Sequence, residues 1–530
     1  MADQRILYTE EMVGAGHPVK TDTLNRLTSV EHNVDGTHYK LTNVTDPWVD
    51  VRAYGAVGDG VTDDSTAIQN ALNALSWQGG QAWLARTGRY YIGSDITVPN
   101  NCAIVGHLFT PEEQSDFSYT GSALIINSSA TIKMSKNSAL RGMYIFRQGL
   151  TYPQSESDLS SWQGTAITLN DGTNYGVGVY LGHLSIFGFF KAIDGGPGIT
   201  QAGRFRAEYL NIDCINGIHL GQAFDVCYIK GVHCWPFMTT GGTGTYKNHR
   251  DGSAFKLENR ADWAKLTDCF SYGYRYGFNL EGVRSVMLIS CGADYPAAAH
   301  PSYDSVGFRV SDDASLNPSG EVTLIGCQAA GQGYGMSLKP KYTLGRNTIQ
   351  VLGCTLWEND KHHIYIAEGV VSIIGSKFNG GGASGTSNAV TIDSIAYAEA
   401  IITGNTFAAI GNYCIYNIAG TNRLYEANNR FVSYGAAKPV YNTYIPTAAS
   451  AATLQLADDC EIHKVSGTTA ISDIDKKWAG RRATLIFQGS LTVTDGTGLR
   501  LNGDFTTSTE DVLTLVCDGS YWYEVARSGN

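Results

Sequence analysis

Nine short segments between residues 209 and 435 repeat one pattern: a short apolar strand, then Cys, Ser or Asn, then a polar turn. Clear examples are LTDCFSYG (266–273), LISCGADY (288–295), LIGCQAAG (324–331), VLGCTLWEN (351–359) and ITGNTFAA (402–409). The recurring small residues are Cys214, Cys234, Cys269, Cys291, Cys327, Cys354, Ser376, Asn405 and Asn428, with spacings of 20, 35, 22, 36, 27, 22, 29 and 23. The base period is therefore 20–23 residues, with insertions of variable length. A repeat of that length marks a solenoid, in which each unit buries its apolar face only by stacking on its neighbours. Short strands joined by turns, with no helices between them, make the solenoid a parallel β-helix. Equivalent residues then stack about 4.8 Å apart. The Cys/Ser/Asn column is expected to be an interior ladder of reduced side chains.

Composition agrees with a turn-rich β protein: 61 Gly, 13 Pro and only 16% charged residues in 530. The net charge of −11 argues against nucleic acid as a main partner. The eleven cysteines form no CxxC pair and no metal-like Cys/His spacing, so neither a metal site nor a cofactor is expected. The start, MADQRILYTEE, has no apolar signal core, and no run of 18 apolar residues suggests membrane insertion. Synthesis in a cytoplasm without signal-peptide export is the expectation.

The stretch VDVRAYGAVGDGVTDDSTAIQNALNAL (49–75) is a glycine-rich loop running into a helical pattern. Ile68, Ala71, Leu72 and Leu75 fall at i, i+3, i+4 and i+7, one apolar helix face. Thr62 or Asp63 is placed to cap it. A phosphate loop would use bare N–H groups and usually a lysine. Here Asp59, Asp63 and Asp64 crowd the position and no lysine is present, so phosphate would be repelled. The segment Asp63–Leu75 is expected instead to plug the open end of the β-helix, which needs a cap over its unpaired backbone and exposed core.

The same stretch, continued by YYIGSDITVPNNCAIVGH (90–107), resembles the N-terminal part of the pectate-lyase-like right-handed β-helix superfamily, in the branch of bacteriophage tailspikes and capsule depolymerases. Residues 225–282 resemble the middle of such depolymerases, residues 13–40 the start of phage tail proteins, and residues 480–528 a small β domain that ends many phage fibres. The resemblance implies a homotrimeric tailspike, made in the host cytoplasm and acting outside the cell as part of the virion. It would bind a bacterial surface polysaccharide, a capsule or O-antigen, and depolymerise it by glycosidic hydrolysis. A lyase acting on a uronate-containing glycan and a non-cleaving adhesin are the alternatives. The expected division is a head, 1–48, docking to the phage tail or baseplate; a capping helix and β-helix, 49–445; and a C-terminal β domain, 446–530, for trimerisation or glycan binding. The last segment alternates apolar and polar residues, as small antiparallel sheets do.

Solenoids bind along a lateral face where insertions cluster. The two longest insertions follow Cys234 and Cys291, and they and their flanks bring Trp235, His249, Arg250 and Tyr295. Trp263, Tyr272, Arg275 and Arg284 lie in the coils between. Aromatic faces and arginines of this kind suit sugar rings and hydroxyls, and these eight are the candidate substrate-binding residues; covering of the helix or of a trimer seam is the other reading of the aromatics. For catalysis, FKLE (255–258) and FNLE (278–281) fall at one register, so Glu258 and Glu281 should stack, with Asp262 near Arg284. Two stacked carboxylates raise one pKa, the arrangement of a general acid beside an ionised partner. Glu258, Asp262, Glu281 and Asp294 are the candidate catalytic residues. Glu281 is the first choice for the acid because YGFNL before it is largely apolar, and Asp225 and Asp268 are held in reserve. The competing reading is a surface ion-pair cluster with Arg260 and Arg284. A lyase would need a base and a cation, for which His233, His249, Arg250, Arg275 and Arg284 are available.

Overall fold

The computed structural model describes residues 48–108, 121–171, 176–196, 202–239, 248–296, 300, 302–312, 319–339, 348–381, 387–393, 398–418, 423–458 and 460–530. The head predicted over 1–48 lies outside these residues except for Trp48. Two compact units are present: Met1–His219 with Pro236–Lys247, and Leu220–Trp235 with Asn248–Asn530.

The first unit opens on the capping helix, Ser65–Leu75, which buries Ile68, Ala71, Leu72 and Leu75. The acidic loop before it binds backbone. Asp64, and not Thr62 or Asp63, takes the N-cap position, without a side-chain cap bond. Its carboxylate accepts from the N–H groups of Val57 (2.6 Å) and Gly58 (3.0 Å). Asp63 accepts from the N–H groups of Ser65 (3.0 Å) and Gly93 (3.1 Å), joining loop and helix to the first coils. The strands then stack in parallel: Trp48–Asp50 on Gly80–Trp83, that strand on Cys102–Val105, and that one on Ala139–Arg147. A second stack runs Ile96–Val98, Ile132–Met134, Thr165–Thr168 and Lys191–Gly195.

The second unit is a right-handed parallel β-helix, the hand that parallel crossovers almost always take. Each coil has three strands. The first arm stacks Lys265–Thr267, Met287–Ile289, Val322–Ile325, Thr348–Leu352, Gly369–Ile374 and Ala398–Thr403. The second stacks Phe270–Tyr272, Gly292–Asp294, Gln328–Ala330, Thr355–Trp357, Lys377–Asn379 and Thr406–Ala408. The third stacks Arg250–Glu258, Tyr274–Glu281, Val306–Ser311, Tyr334–Leu338, His362–Ile366 and Asn388–Ile392. Phe255, Phe278 and Phe308 form an inward column on this third arm, with ring centroids 4.7 and 4.8 Å apart.

The predicted ladder sits in the bend between the first two arms. Cys269, Cys291, Cys327 and Cys354 are buried and all eleven cysteines are free thiols. Each ladder thiol points at a carbonyl of the preceding coil: Cys269 at Ile229 (3.4 Å), Cys291 at Leu266 (3.4 Å), Cys327 at Leu288 (3.5 Å) and Cys354 at Leu324 (3.6 Å). Further along, Asn405 Nδ2 donates to Ile373 O (3.0 Å) while its Oδ1 accepts from Ser376 N (2.8 Å). The residue before each rung of this ladder is left-handed, with φ near +60°: Asp268, Ser290, Gly326, Gly353, Gly375, Gly404 and Asn428. That tight bend is what the small side chain fills.

Three ladder assignments are corrected. Cys214 follows the strand Asn211–Asp213 instead of preceding it, the left-handed bend there being at Tyr209, φ +55°. The last rung is Asn429, which accepts from Asn405 N (2.9 Å) and donates to Ile402 O (2.7 Å); Asn428 holds the turn. Cys234 pairs in register with Ser271, two places off the ladder. The C-terminal β domain starts at Thr447–Ala449, and its sheet is mixed. Ala479–Phe487, Val512–Asp518 and Trp522–Ser528 run antiparallel, flanked by parallel pairings. Its core contains Leu454, Leu485, Phe487, Leu513, Leu515 and Trp522.

Candidate functional site

Strand alternation decides what each arm presents outward. On the second arm Ser271, Ala293, Ala329 and Leu356 point inward. Tyr272, Asp294, Ala330 and Trp357 therefore share the outer column, and Tyr272 is directly opposite Asp294. Trp235 precedes Tyr272 in this column, and the two rings stack at 4.2 Å with 23° between their planes. One coil away, Phe270 lies over Gly292, where a Cβ would stand 2.6 Å from its ring. The result is a short aromatic platform ending at a carboxyl group.

Asp294 is half-buried and its Oδ1 accepts from Tyr295 N at 2.7 Å. Burial pushes its carboxyl above the usual range; the Tyr295 N–H opposes this, and the negative charge of Glu358 adds to it. Tyr272 is likewise pushed up, by burial and then by the charge of Asp294. Gly331, at φ +63°, lets the chain pass here: a Cβ would meet Tyr295 O at 2.5 Å and Asp294 Oδ1 at 3.4 Å. Beyond the small Ala330 come Trp357 and the exposed Glu358. Glu358 is turned out by its own left-handed backbone, φ +53°. Two coils, roughly 10 Å of backbone, separate Asp294 from Trp357.

Glu358 was absent from the sequence-based candidates. Its turn is fixed from behind. Asn359 Oδ1 accepts from Gln332 N (3.1 Å), and Asn359 Nδ2 lies 2.8 Å from His363 Nδ1. His363 Nε2 lies 2.8 Å from Gly380 O, a carbonyl that can only accept, so Nε2 carries the proton and Nδ1 accepts. Burial lowers the His363 pKa to about 4, which keeps the ring neutral.

The expected stacking of Glu258 on Glu281 is present. Their surroundings differ from the expectation. Phe278 and Leu280 point into the core, so the apolar neighbours of Glu281 in sequence are on the opposite face. On its own face, Lys256 Nζ bridges Glu258 (2.6 Å) and Glu281 (3.2 Å), and Arg309 also pairs with Glu281. Asn279 Nδ2 donates to Glu281 at 3.2 Å. Burial alone would lower Lys256; the bond to Glu258 and the charges of both glutamates outweigh it and hold the ammonium above its usual range. Two cations and two carboxylates are thus ion-paired on this face, which leaves neither glutamate oriented toward an open groove by this pairing alone.

Asp262 lies next to Arg284 as expected, the two pairing through their backbones as a parallel β-bridge. Burial, then the charge of Asp225, pushes its carboxyl up, with Arg284 opposing. Trp263 beside it is 58% exposed. Arg275 pairs with Asp251 (3.2 Å) and lies over Tyr276 and Tyr303. Asp268 is exposed and serves the bend. His249, Arg250 and Tyr295 are corrected from the surface to the interior, at 2%, 0% and 4% exposure. His249 packs against Tyr295 (4.9 Å) and His300 (5.6 Å). The structure thus joins Trp235, Tyr272 and Asp294 on one face, Glu258 and Glu281 on a second, and Asp262, Trp263 and Arg284 at a bend.

Residues 48–168 match the family described as rhamnogalacturonase A/epimerase, pectate lyase-like. No curated protein matches the sequence. Among solved structures, the DFA-IIIase of Arthrobacter chlorophenolicus A6 is 13% identical, with 72% of this chain and 98% of that chain covered and a TM-score of 0.49. A tailspike protein variant of E. coli bacteriophage HK620 bound to a pentasaccharide is 12% identical, covering 91% and 86%, with a TM-score of 0.46. The Dettilon tailspike protein is 13% identical, covering 89% and 76%, with a TM-score of 0.45.

Proposed function

We propose that this chain is a tailspike-type endo-glycosidase that binds a bacterial surface polysaccharide along the second arm of its β-helix and hydrolyses it. The observation that carries this reading is Asp294: a half-buried carboxyl with its pKa pushed up, set at the end of the stacked Trp235–Tyr272 platform. A sugar ring laid on the platform by its C–H face brings its glycosidic oxygen toward that carboxyl. Asp294, protonated, gives its proton to the leaving oxygen as that bond breaks. Glu358 activates a water on the far side of the ring. Inverting pairs need about 6.5–9.5 Å between carboxyls to admit that water, and a two-coil spacing with Ala330 between leaves such room. The slot also leaves Trp357 free to hold the next sugar. The Lys256–Glu258–Glu281–Arg309 cluster on the third arm is, on this reading, a charge-neutral brace.

Assembly as a homotrimer, attachment to a phage tail through residues 1–48 and action outside the host complete the proposal. They follow from the sequence resemblance. The test is incubation with polysaccharides from a bacterial strain panel and mass analysis of what is released. Hydrolysis adds one water per cut. An unsaturated uronate end would make the chain a lyase, and binding with no loss of polymer length would make it an adhesin.

A further inference from the structure

We infer that the chain carries a second carbohydrate-binding cleft, distant in sequence from the Asp294 column, where the last coils meet the C-terminal β domain. The cleft has a volume of about 430 Å³, and both parts of the second unit line it. This size accommodates one or two sugar rings.

Two large aromatic side chains face it and remain uncovered: Tyr425, 51% exposed, on the strand Arg423–Ala427, and Trp478, 46% exposed, before the strand Ala479–Phe487. Trp478 is held rigidly. The Arg481 guanidinium lies 4.3 Å from its ring and 5.6 Å from the buried ring of Trp522. Arg481 is itself only 4% exposed, and its guanidinium donates to Lys476 O (2.7 Å) and Ala457 O (2.8 Å). The indole therefore rests on a cation locked to the domain core. A fixed exposed ring loses little side-chain entropy when it binds, which is the economy that binding surfaces gain from rigid aromatic residues.

The polar lining mixes signs. Glu399 stands opposite Arg423 across the ladder, and Glu461 and Arg482 line the far wall. Such a lining offers acceptors and donors to hydroxyl groups without a net field to attract an anion. Aromatic faces with paired, opposite charges fit a neutral or weakly charged sugar segment better than a phosphate, a nucleic acid or an apolar ligand. The cleft would hold a long polymer while a distant segment of it is cut. It rests on the reading of the chain as a glycan-handling protein, but not on which residues cleave.

The test uses the full chain with Asp294→Asn, so that bound polymer stays intact, on an array of purified bacterial capsule and O-antigen polysaccharides. Trp478→Ala and Tyr425→Ala, made separately, should each weaken binding of the best arrayed polysaccharide about tenfold. Trp478→Phe should keep most of the binding, and melting temperatures should stay close to the parent. In the chain without Asp294→Asn, Trp478→Ala should raise KM on the polymer and leave kcat on short oligosaccharides unchanged. Unchanged polymer binding in both variants overturns the inference, as does an array on which the parent binds nothing. Polymer that is cut normally but bound without regard to Trp478 sinks this cleft and spares the Asp294 reading. Trp478-dependent binding without cleavage does the reverse.

Discussion

Tyr272 lies directly across the parallel ladder from Asp294, one coil apart, and the charge of Asp294 adds to burial in pushing the Tyr272 phenol up. The same register puts Trp235 on Tyr272. An aromatic face and a half-buried carboxyl are thus one strand spacing apart. The first expected outcome concerns that carboxyl and stability. A folded-state pKa above the unfolded value near 4 stabilises only the protonated form. The contribution is full below the unfolded value and is lost as pH rises through the folded one. Asp294→Asn should therefore melt at a higher temperature than the parent at pH 7, with the gap closing toward pH 4. A lower melting temperature at pH 7 would show that the ionised carboxylate is needed structurally.

Trp235→Ala should weaken oligosaccharide binding about tenfold, since a stacked aromatic contributes roughly 0.5–1.5 kcal/mol beyond its area. Isothermal titration against released oligosaccharide reads this directly. Large loss of stability with unchanged affinity would assign Trp235 to packing alone.

Lys256→Met should destabilise the chain, because Glu258 and Glu281 then face each other with Arg309 alone to compensate. Losing hydrogen bonds to charged partners costs about 1.5–3 kcal/mol, discounted here because Lys256 is partly open to solvent. Urea denaturation measures it. Unchanged stability with a collapse in turnover would move this cluster into the chemistry.

The ladder makes a count. Of the eleven free thiols, only Cys460 is not buried. A thiol reagent should find one fast site in the native chain and eleven after unfolding. Cys327→Leu should cost roughly 1–3 kcal/mol by overpacking. Several fast-reacting native thiols would contradict the buried column.

Much of this architecture was legible because a β-helix writes its geometry as a period. The Cys/Ser/Asn repeat located the bends, and FKLE and FNLE located the register of Glu258 and Glu281. Errors came where the period was silent. ANN offers two asparagines for one rung, and only the hydrogen bonds of Asn429 choose between them. Neighbours in sequence were read as neighbours in space for Glu281, although alternate residues on a strand face opposite ways; Lys256, two before Glu258, was the signal that mattered. Glu358 was missed although counting three residues past each ladder cysteine from Cys269 onward gives Tyr272, Asp294, Ala330 and Trp357, with Glu358 next. The burial of His249, Arg250 and Tyr295 has no periodic signal, because it rests on contacts such as His249 with Tyr295 that the repeat does not encode.

The central claim is that the chemistry lies on the Asp294 column and not on the Glu258–Glu281 column. Turnover of the polysaccharide found by the strain panel, measured as reducing ends for Asp294→Asn, Glu358→Gln and Glu281→Gln side by side, tests it most directly. Asp294→Asn and Glu358→Gln should each lower kcat by about 10²–10⁴-fold, the range for a lost general acid or base, with polymer affinity kept. Glu281→Gln should stay within a few-fold of the parent. Near-parental turnover in Asp294→Asn together with a collapse in Glu281→Gln would contradict the account.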